Sequence, residues 1–206
     1  MIRIWGRLSS VNVQKVVWAA CEAGVAFERI EAGGKFGLVK TPEYLAKNPN
    51  GLIPLLEDGD FVLWESNAIV RYMGAKYAPG TLYPEPLDAR TDADRWMDWQ
   101  ATTLQPAMGP AFMQLIRTPQ AERNAAAIDE SARKTEPLMA ILDAQLAGRE
   151  FVCGARFTMA DIVLGCAAHR WFGLPLARLP RPNVERWYAA LMQRPTVDGV
   201  LTLPLT

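Results

Sequence analysis

The chain has 206 residues, is half hydrophobic, and sets 22 basic against 22 acidic residues for a formal net charge of zero. This length suits one large domain or two small ones with a real core, and the balanced charge argues against nucleic acid or an anionic membrane as a main partner. Cys21, Cys153 and Cys166 are too few and too far apart for a disulfide framework or a zinc site, which points to a reducing cytoplasm, and neither a signal-peptide h-region nor a run of roughly 18 apolar residues is present.

Ile2 to Trp5 reads as a short strand. Val11 to Gly24 follows as a helix, with Val13, Val16, Val17 and Ala20 on one face and Gly24 as its stop. Ala26 to Ile30 is a second strand, and this β-α-β opening favours a parallel pair. Thr41-Pro42-Glu43 starts a short helix that ends at Asn48-Pro49. Leu55-Leu56 and Phe61 to Leu63 make a hairpin around Asp58-Gly59. Glu65 to Tyr77 is a helix with Ile69, Tyr72 and Met73 turned inward.

The composition then changes. The run Pro79-Gly80-Thr81-Leu82-Tyr83-Pro84-Glu85-Pro86 marks a linker, and everything after it has helical spacing. Residues 87–117 read as one long helix bent near Pro106 and Pro110. Residues 120–147 read as another, with Ile128, Ala132, Thr135, Met139, Leu142 and Leu146 on its apolar face and a kink at Pro137. Thr158 to Arg170 and Pro182 to Met192 are two more. The expectation is a small α/β domain over 1–80, a linker over 81–86 and an all-helical domain over 87–206.

Ser9-Ser10-Val11-Asn12 falls where the first strand gives way to the first helix. A serine there can simply cap the helix. The same hydroxyl, with the positive end of the helix dipole, can instead stabilise a bound thiolate. A free thiol titrates at about 8.5, and making most of it thiolate at neutral pH takes a shift of about two units, or about 2.7 kcal/mol. One or two charge-assisted hydrogen bonds supply that much. Ile53-Pro54 reads either as an ordinary turn before an edge strand or as a cis peptide. In the second case the Ile53 N–H and C=O would face a cleft and could pair with an extended peptide. Glu65-Ser66 is at least a charged helix start; as a site, Ser66 would hold a carboxylate and Glu65 an ammonium, the two ends of an amino-acid head. Thr158-Met159-Ala160-Asp161 is a capping box with Asp in place of Glu or Gln, a matter of folding rather than chemistry. His169 is the only histidine, so neither a His-based triad nor a His metal cluster stands out. Trp96 and Trp99, three apart, belong to the core or line a groove.

Ser10, Ile53-Pro54, Glu65-Ser66 and Thr158-x-x-Asp161, in this order, resemble the cytosolic glutathione S-transferases. The resemblance covers essentially the whole chain, and the Ser-x-Asn start looks most like the bacterial theta-, phi- and beta-like relatives that lack a catalytic tyrosine. It implies a thioredoxin-like α/β domain that binds glutathione and an all-α domain that lines the electrophile site. It further implies glutathione as co-substrate without a metal, a cytoplasmic homodimer, and no nucleic-acid or membrane partner. By the same resemblance Ser10 contacts the glutathione sulfur, with Ser9 and Asn12 as alternatives. Lys40, or Lys35 in its place, pairs with the glycine carboxylate. Ile53 offers backbone to the cysteinyl unit, Pro54 is the cis proline, and Glu65 and Ser66 hold the γ-glutamyl head. Leu52 departs from the pattern, standing where many relatives are polar.

Three functions stay open at this point. The first is transfer of the glutathione thiolate to a small apolar electrophile or peroxide, held around Leu8, Trp96, Trp99 and Phe112. The second is a non-catalytic binding or interaction module of the same fold. The third is glutathione-dependent disulfide reduction, suggested by Asn12.

Overall fold

The computed structural model describes all residues from Met1 to Thr206. The chain divides into two compact units, Met1–Glu85 and Pro86–Thr206.

The first unit is built on a four-stranded sheet with the spatial order β2-β1-β3-β4. Its strands are β1 (Ile2–Trp5), β2 (Phe27–Ile30), β3 (Leu55–Asp58) and β4 (Phe61–Trp64). β1 and β2 run parallel through the crossover helix α1 (Val11–Glu22), as the β-α-β pattern requires. β3 and β4 add antiparallel, joined by the tight turn at Gly59. Side chains alternate across the sheet. Trp5 and Leu55 face one side with Ala32 and with Tyr44 of α2 (Pro42–Lys47). Ile2, Ile4 and Leu56 therefore face the other, and all three are buried. α1 packs against α3 (Ser66–Tyr77), and the buried Lys15 of α1 donates to Asn67 of α3 at 3.2 Å. Ile69 and Met73 of α3 are fully buried. Tyr72, expected inward with them, is only half-buried, because its hydroxyl reaches the hairpin and donates to Asp58 at 2.7 Å.

The second unit holds α4 (Leu87–Trp99), α5 (Gln105–Phe112), α6 (Ala125–Gln145), α7 (Met159–Gly173) and α8 (Pro182–Leu191). Residues 87–117 are helical throughout, but π-helical turns at Gln100–Leu104 and Met113–Arg117 bracket α5. The prolines at 106 and 110 have no N–H to give the ladder, and wide turns are one way a helix absorbs that. A second cause comes from α6. The Ser131 hydroxyl donates to the Ala107 carbonyl at 2.5 Å and accepts the Ala111 amide at 3.1 Å, so it sits inside a four-residue step of α5.

α6 starts at Ala125, later than expected, because Asn124 caps it by accepting the Ala127 amide at 3.0 Å; residues 120–122 form a separate 3-10 turn. Its buried face carries Ser131, Thr135, Met139 and Leu142, with Ala132 and Ile128 only half-buried. The helix continues past Pro137, whose ring is exposed, so the carbonyl it leaves unpaired lies toward solvent. In α7, 12 of 15 residues are buried, which makes it the central helix of this unit.

Candidate functional site

The turn from β1 into α1 is set by backbone. The Gly6 and Arg7 amides bond to the carbonyls of Ile30 and Ala32, and the Ser10 amide bonds to Arg7. The Ser10 carbonyl accepts the Val13 and Gln14 amides, so Ser10 is the N-cap residue by backbone. Its hydroxyl, however, makes no capping bond. The simple capping role expected from sequence is not taken up, and a half-buried hydroxyl donor is left at a helix N-terminus. Ser9 is occupied differently, with its oxygen accepting from Arg7 Nη1 at 3.0 Å. Asn12 stands in the first turn of α1 and lines a cleft.

The Asn48-Pro49-Asn50-Gly51 turn forms another wall. Asn48 is 2% exposed. Its Oδ1 accepts the Asn50 amide at 3.1 Å, and its side-chain amide donates to the Leu52 carbonyl at 2.8 Å. The Tyr44 hydroxyl donates to the same carbonyl at 2.6 Å. Burial pushes the Tyr44 phenol up to about 12, against a smaller opposing pull from Asn48, so it remains a neutral donor. Gly51 has φ 61, and a Cβ there would lie 2.8 Å from Lys40 Nζ and 2.9 Å from the Val39 carbonyl. Only glycine fits, and the Lys40 ammonium lies directly against this turn.

Ile53-Pro54 is a cis peptide. The Ile53 N–H and C=O make no hydrogen bond within the chain, and Ile53 lines the cleft. At the far wall Glu65 adopts φ 73, an uncommon conformation for a residue with a side chain and one worth of order 1–3 kcal/mol of strain. It precedes Ser66, which opens α3 and is 7% exposed. The cleft has a volume of about 120 Å³. Asn12, Ile53, Pro54, Glu65 and Ser66 are therefore brought together, while Ser10 lies two residues before Asn12 on the same turn. Asn48 and Trp64 line the cleft too and escaped sequence reasoning; for Asn48 the signal was the turn motif itself.

Other expected site residues lie elsewhere. Lys35 is exposed, with its ammonium 5.1 Å from the Phe36 ring centre. Leu8 is half-buried. In the second unit Trp96 and Trp99 meet edge to face at 5.2 Å, and the buried Trp96 Nε1 has no acceptor. Phe112 is 5% exposed, its ring covered by the Arg170 guanidinium at 3.7 Å. His169 Nδ1 lies 2.8 Å from the Tyr188 hydroxyl. Burial pushes Cys153 up to about 12 and raises Cys21, so neither is an activated thiol, and Cys166 is buried. No group of three His, Cys, Asp or Glu side chains is placed to hold a metal ion, and no helix is long and apolar enough to cross a membrane.

A cis X-Pro beside an unpaired backbone strand end and a Glu-Ser helix start thus line one cleft of a thioredoxin-like α/β unit. Comparison with known proteins agrees. Residues 1–75 match the glutathione S-transferase N-terminal domain and residues 101–195 the glutathione S-transferase C-terminal domain. The chain belongs to the glutathione S-transferase family. Among its relatives is glutathione S-transferase GstB of Escherichia coli strain K12, 43% identical with both chains covered completely. Glutathione S-transferase 4 of Zea mays is 30% identical over 97% of this chain and 91% of the relative. Among solved structures, the theta class glutathione S-transferase from Xanthomonas axonopodis pv. citri with glutathione bound superimposes with a TM-score of 0.96 at 46% identity. That match covers 100% of this chain and 99% of the other.

Proposed function

We propose that the protein is a glutathione transferase that binds glutathione along the cleft of the first unit and ionises its thiol for attack on a small, largely apolar electrophile or peroxide. The observation that carries this reading is the unpaired Ile53 backbone lining the same cleft as Glu65, Ser66 and Asn12. An extended cysteinyl unit can add to that backbone as a strand does. Ser66 at the start of α3 suits the γ-glutamyl carboxylate, and Glu65 suits its ammonium. Lys40, held against Gly51, suits the glycine carboxylate better than Lys35, which lies over Phe36. Ser10 is the favoured donor to the sulfur because its hydroxyl is not spent on capping, with Asn12 next and Ser9, already bonded to Arg7, last. Residues 1–80 then act as the glutathione domain, 81–86 as linker and 87–206 as the electrophile domain.

The thiolate absorbance of bound glutathione, followed against pH, tests the assignment. Ser10→Ala should raise the bound thiol pKa by about one to two units and slow turnover at neutral pH by about 10- to 100-fold, with glutathione affinity nearly unchanged. An unchanged signal in Ser10→Ala with a lost signal in Asn12→Ala would move the role to Asn12, and no thiolate in the parent would leave a binding module. Glutathione-dependent disulfide reduction remains the second reading. The raised thiols of Cys21 and Cys153 leave bound glutathione as the nucleophile in either case, so turnover of a mixed disulfide compared with a chloronitroarene separates the two readings. A homodimer completes the proposal. It is supported by the exposed Leu52 and Phe61 on the first unit, and light scattering should return twice the 22.8 kDa chain mass.

A further inference from the structure

Arg7 has a charge that the fold does not use. It sits on the turn between β1 and α1, two residues before Ser9 and three before Ser10. Its backbone is fixed at both ends, the amide to the Ala32 carbonyl at 3.0 Å and the carbonyl to the Ser10 amide at 3.1 Å. The side chain folds back along the turn, and Nη1 donates to Ser9 Oγ at 3.0 Å. Nε is buried and has no acceptor. The side chain passes close to Gly34, where a Cβ would come within 2.7 Å of Nε; Gly34, at φ 58, leaves the room it needs. The same loop touches the cleft wall, since a Cβ on Gly33 would lie 3.0 Å from Ile53 Cδ1.

No carboxylate pairs with Arg7. On β2 and just after it, Glu28 pairs with Arg3 at 3.3 Å and Glu31 with Arg29 at 2.6 Å. Of the other charged groups on the elements around this turn, Glu22 of α1 accepts from the Trp18 indole at 3.0 Å, Glu57 of β3 pairs with Lys47, and Glu65 lines the cleft; Lys35 and Lys40 on the loop after β2 are exposed, and Lys15 of α1 bonds Asn67. A half-buried guanidinium without a counter-ion is costly in the free protein, and that cost is relieved when an anion arrives nearby. In the reaction proposed above, the anion formed at this turn is the glutathione thiolate, its proton passing to solvent. A cation close by in a partly desolvated site favours the ionised sulfur.

We propose that Arg7 is a positioning residue for the transferase reaction: its guanidinium fixes Ser9 and supplies the positive charge that lowers the pKa of the thiol bound at Ser10 or Asn12. This rests on the glutathione-transferase reading.

The test uses the full-length protein with glutathione and follows thiolate absorbance against pH in the parent, Arg7→Met, Arg7→Gln and Arg7→Lys. Arg7→Gln can keep a hydrogen bond to Ser9 without the charge. The expected result is a bound-thiol pKa raised by about one unit in Arg7→Met and Arg7→Gln, so about tenfold less thiolate on the acid limb, and restored in Arg7→Lys. Glutathione affinity measured on the acid side of both bound-thiol pKa values, where the neutral thiol binds, should change by less than about twofold, and kcat/KM with a neutral chloronitroarene should shift along the pH axis with the absorbance. An unchanged pKa in a folded Arg7→Gln overturns the proposal. So does an equal loss in Arg7→Gln and Arg7→Lys, which would mark a structural role. So does an effect confined to an electrophile that bears a carboxylate, such as a haloacetate, which would give the charge to the second substrate. A parent without any thiolate signal overturns the transferase reading itself, a result distinct from these.

Discussion

The Leu52 carbonyl takes two donors, the Tyr44 hydroxyl and the Asn48 side-chain amide. It shares one rigid peptide plane with the Ile53 N–H, so fixing the carbonyl also fixes where that N–H points. Two buried side chains thus aim the backbone that is proposed to pair with glutathione. Tyr44→Phe removes one donor and leaves the ring against Trp5, 6.0 Å away edge-on. The loss should be about 1 kcal/mol, read as about a fivefold rise in KM for glutathione with kcat almost unchanged. An unaltered KM, or an equal fall in kcat, would show that the carbonyl does not control the binding strand. The residues around this strand were legible in different degrees. Ile53-Pro54 and Glu65-Ser66 announce themselves because a dipeptide of unusual chemistry sits at an element boundary. Tyr44 and Asn48 do not, because their role exists only once α2 packs under the turn. The Ser10 hydroxyl was legible as a residue but not in its freedom, since sequence cannot tell a spent cap from an unspent one.

At the scale of elements, the strands, the hairpin and the division into an α/β part and a helical part follow from periodicity and turn residues, which act locally. What periodicity misses is a polar contact that crosses between helices. On α6, three- and four-residue spacing pointed to Ala132, while the buried residue is its neighbour Ser131, whose hydroxyl enters α5 between Ala107 and Ala111. The prolines at 106 and 110 already weaken that helix, so the hydroxyl satisfies a carbonyl and an amide that would otherwise be poorly paired in a buried place. Ser131→Ala should therefore cost about 1–3 kcal/mol in urea unfolding, more than the few tenths expected of a surface serine. Ser131→Thr, which keeps the hydroxyl, should lose less unless its extra methyl has no room. A Ser131→Ala variant as stable as the parent would mean that α5 closes its own ladder once the hydroxyl is gone. The capping box was legible as far as Thr158 and Asp161, whose carboxylate accepts the Thr158 amide at 2.9 Å. Its further acceptance of the Val152 amide at 2.9 Å and the Trp187 indole at 3.0 Å was not, since both partners arrive from other segments.

Across the whole molecule, two aspartates give the two units opposite responses to acid. In the first unit, burial would raise Asp58, but the Lys76 ammonium and the Tyr77 and Tyr72 hydroxyls outweigh it and hold the carboxyl at about 2. A carboxylate whose folded pKa lies below the unfolded value of about 3.9 contributes stability above that value and loses it as pH falls toward 2. Lys76 is nearly half exposed, so screening limits this contribution to about 1 kcal/mol. In the second unit, Asp161 is completely buried, and desolvation raises it to about 6 against the pull of the Val152 and Thr158 amides and the Trp187 indole. Here the sign reverses: the unfolded chain ionises first, so the folded state is favoured below about 4 and loses of order 2–3 kcal/mol as pH rises through 6. Acidifying from pH 7 to 4 should thus strengthen the helical unit through Asp161, against an opposing loss at His169, whose pKa burial lowers, and acidifying through 4 to 2 should weaken the sheet unit through Asp58 and the similarly lowered Glu57. Carboxyl carbon chemical shifts followed by NMR should show Asp58 titrating near 2 and Asp161 near 6, and Asp58→Asn should flatten only the limb below pH 4. If Asp161 instead titrates below 4, its donors outweigh burial, and the capping carboxylate stabilises the helical unit at neutral pH by the amount it was expected to cost.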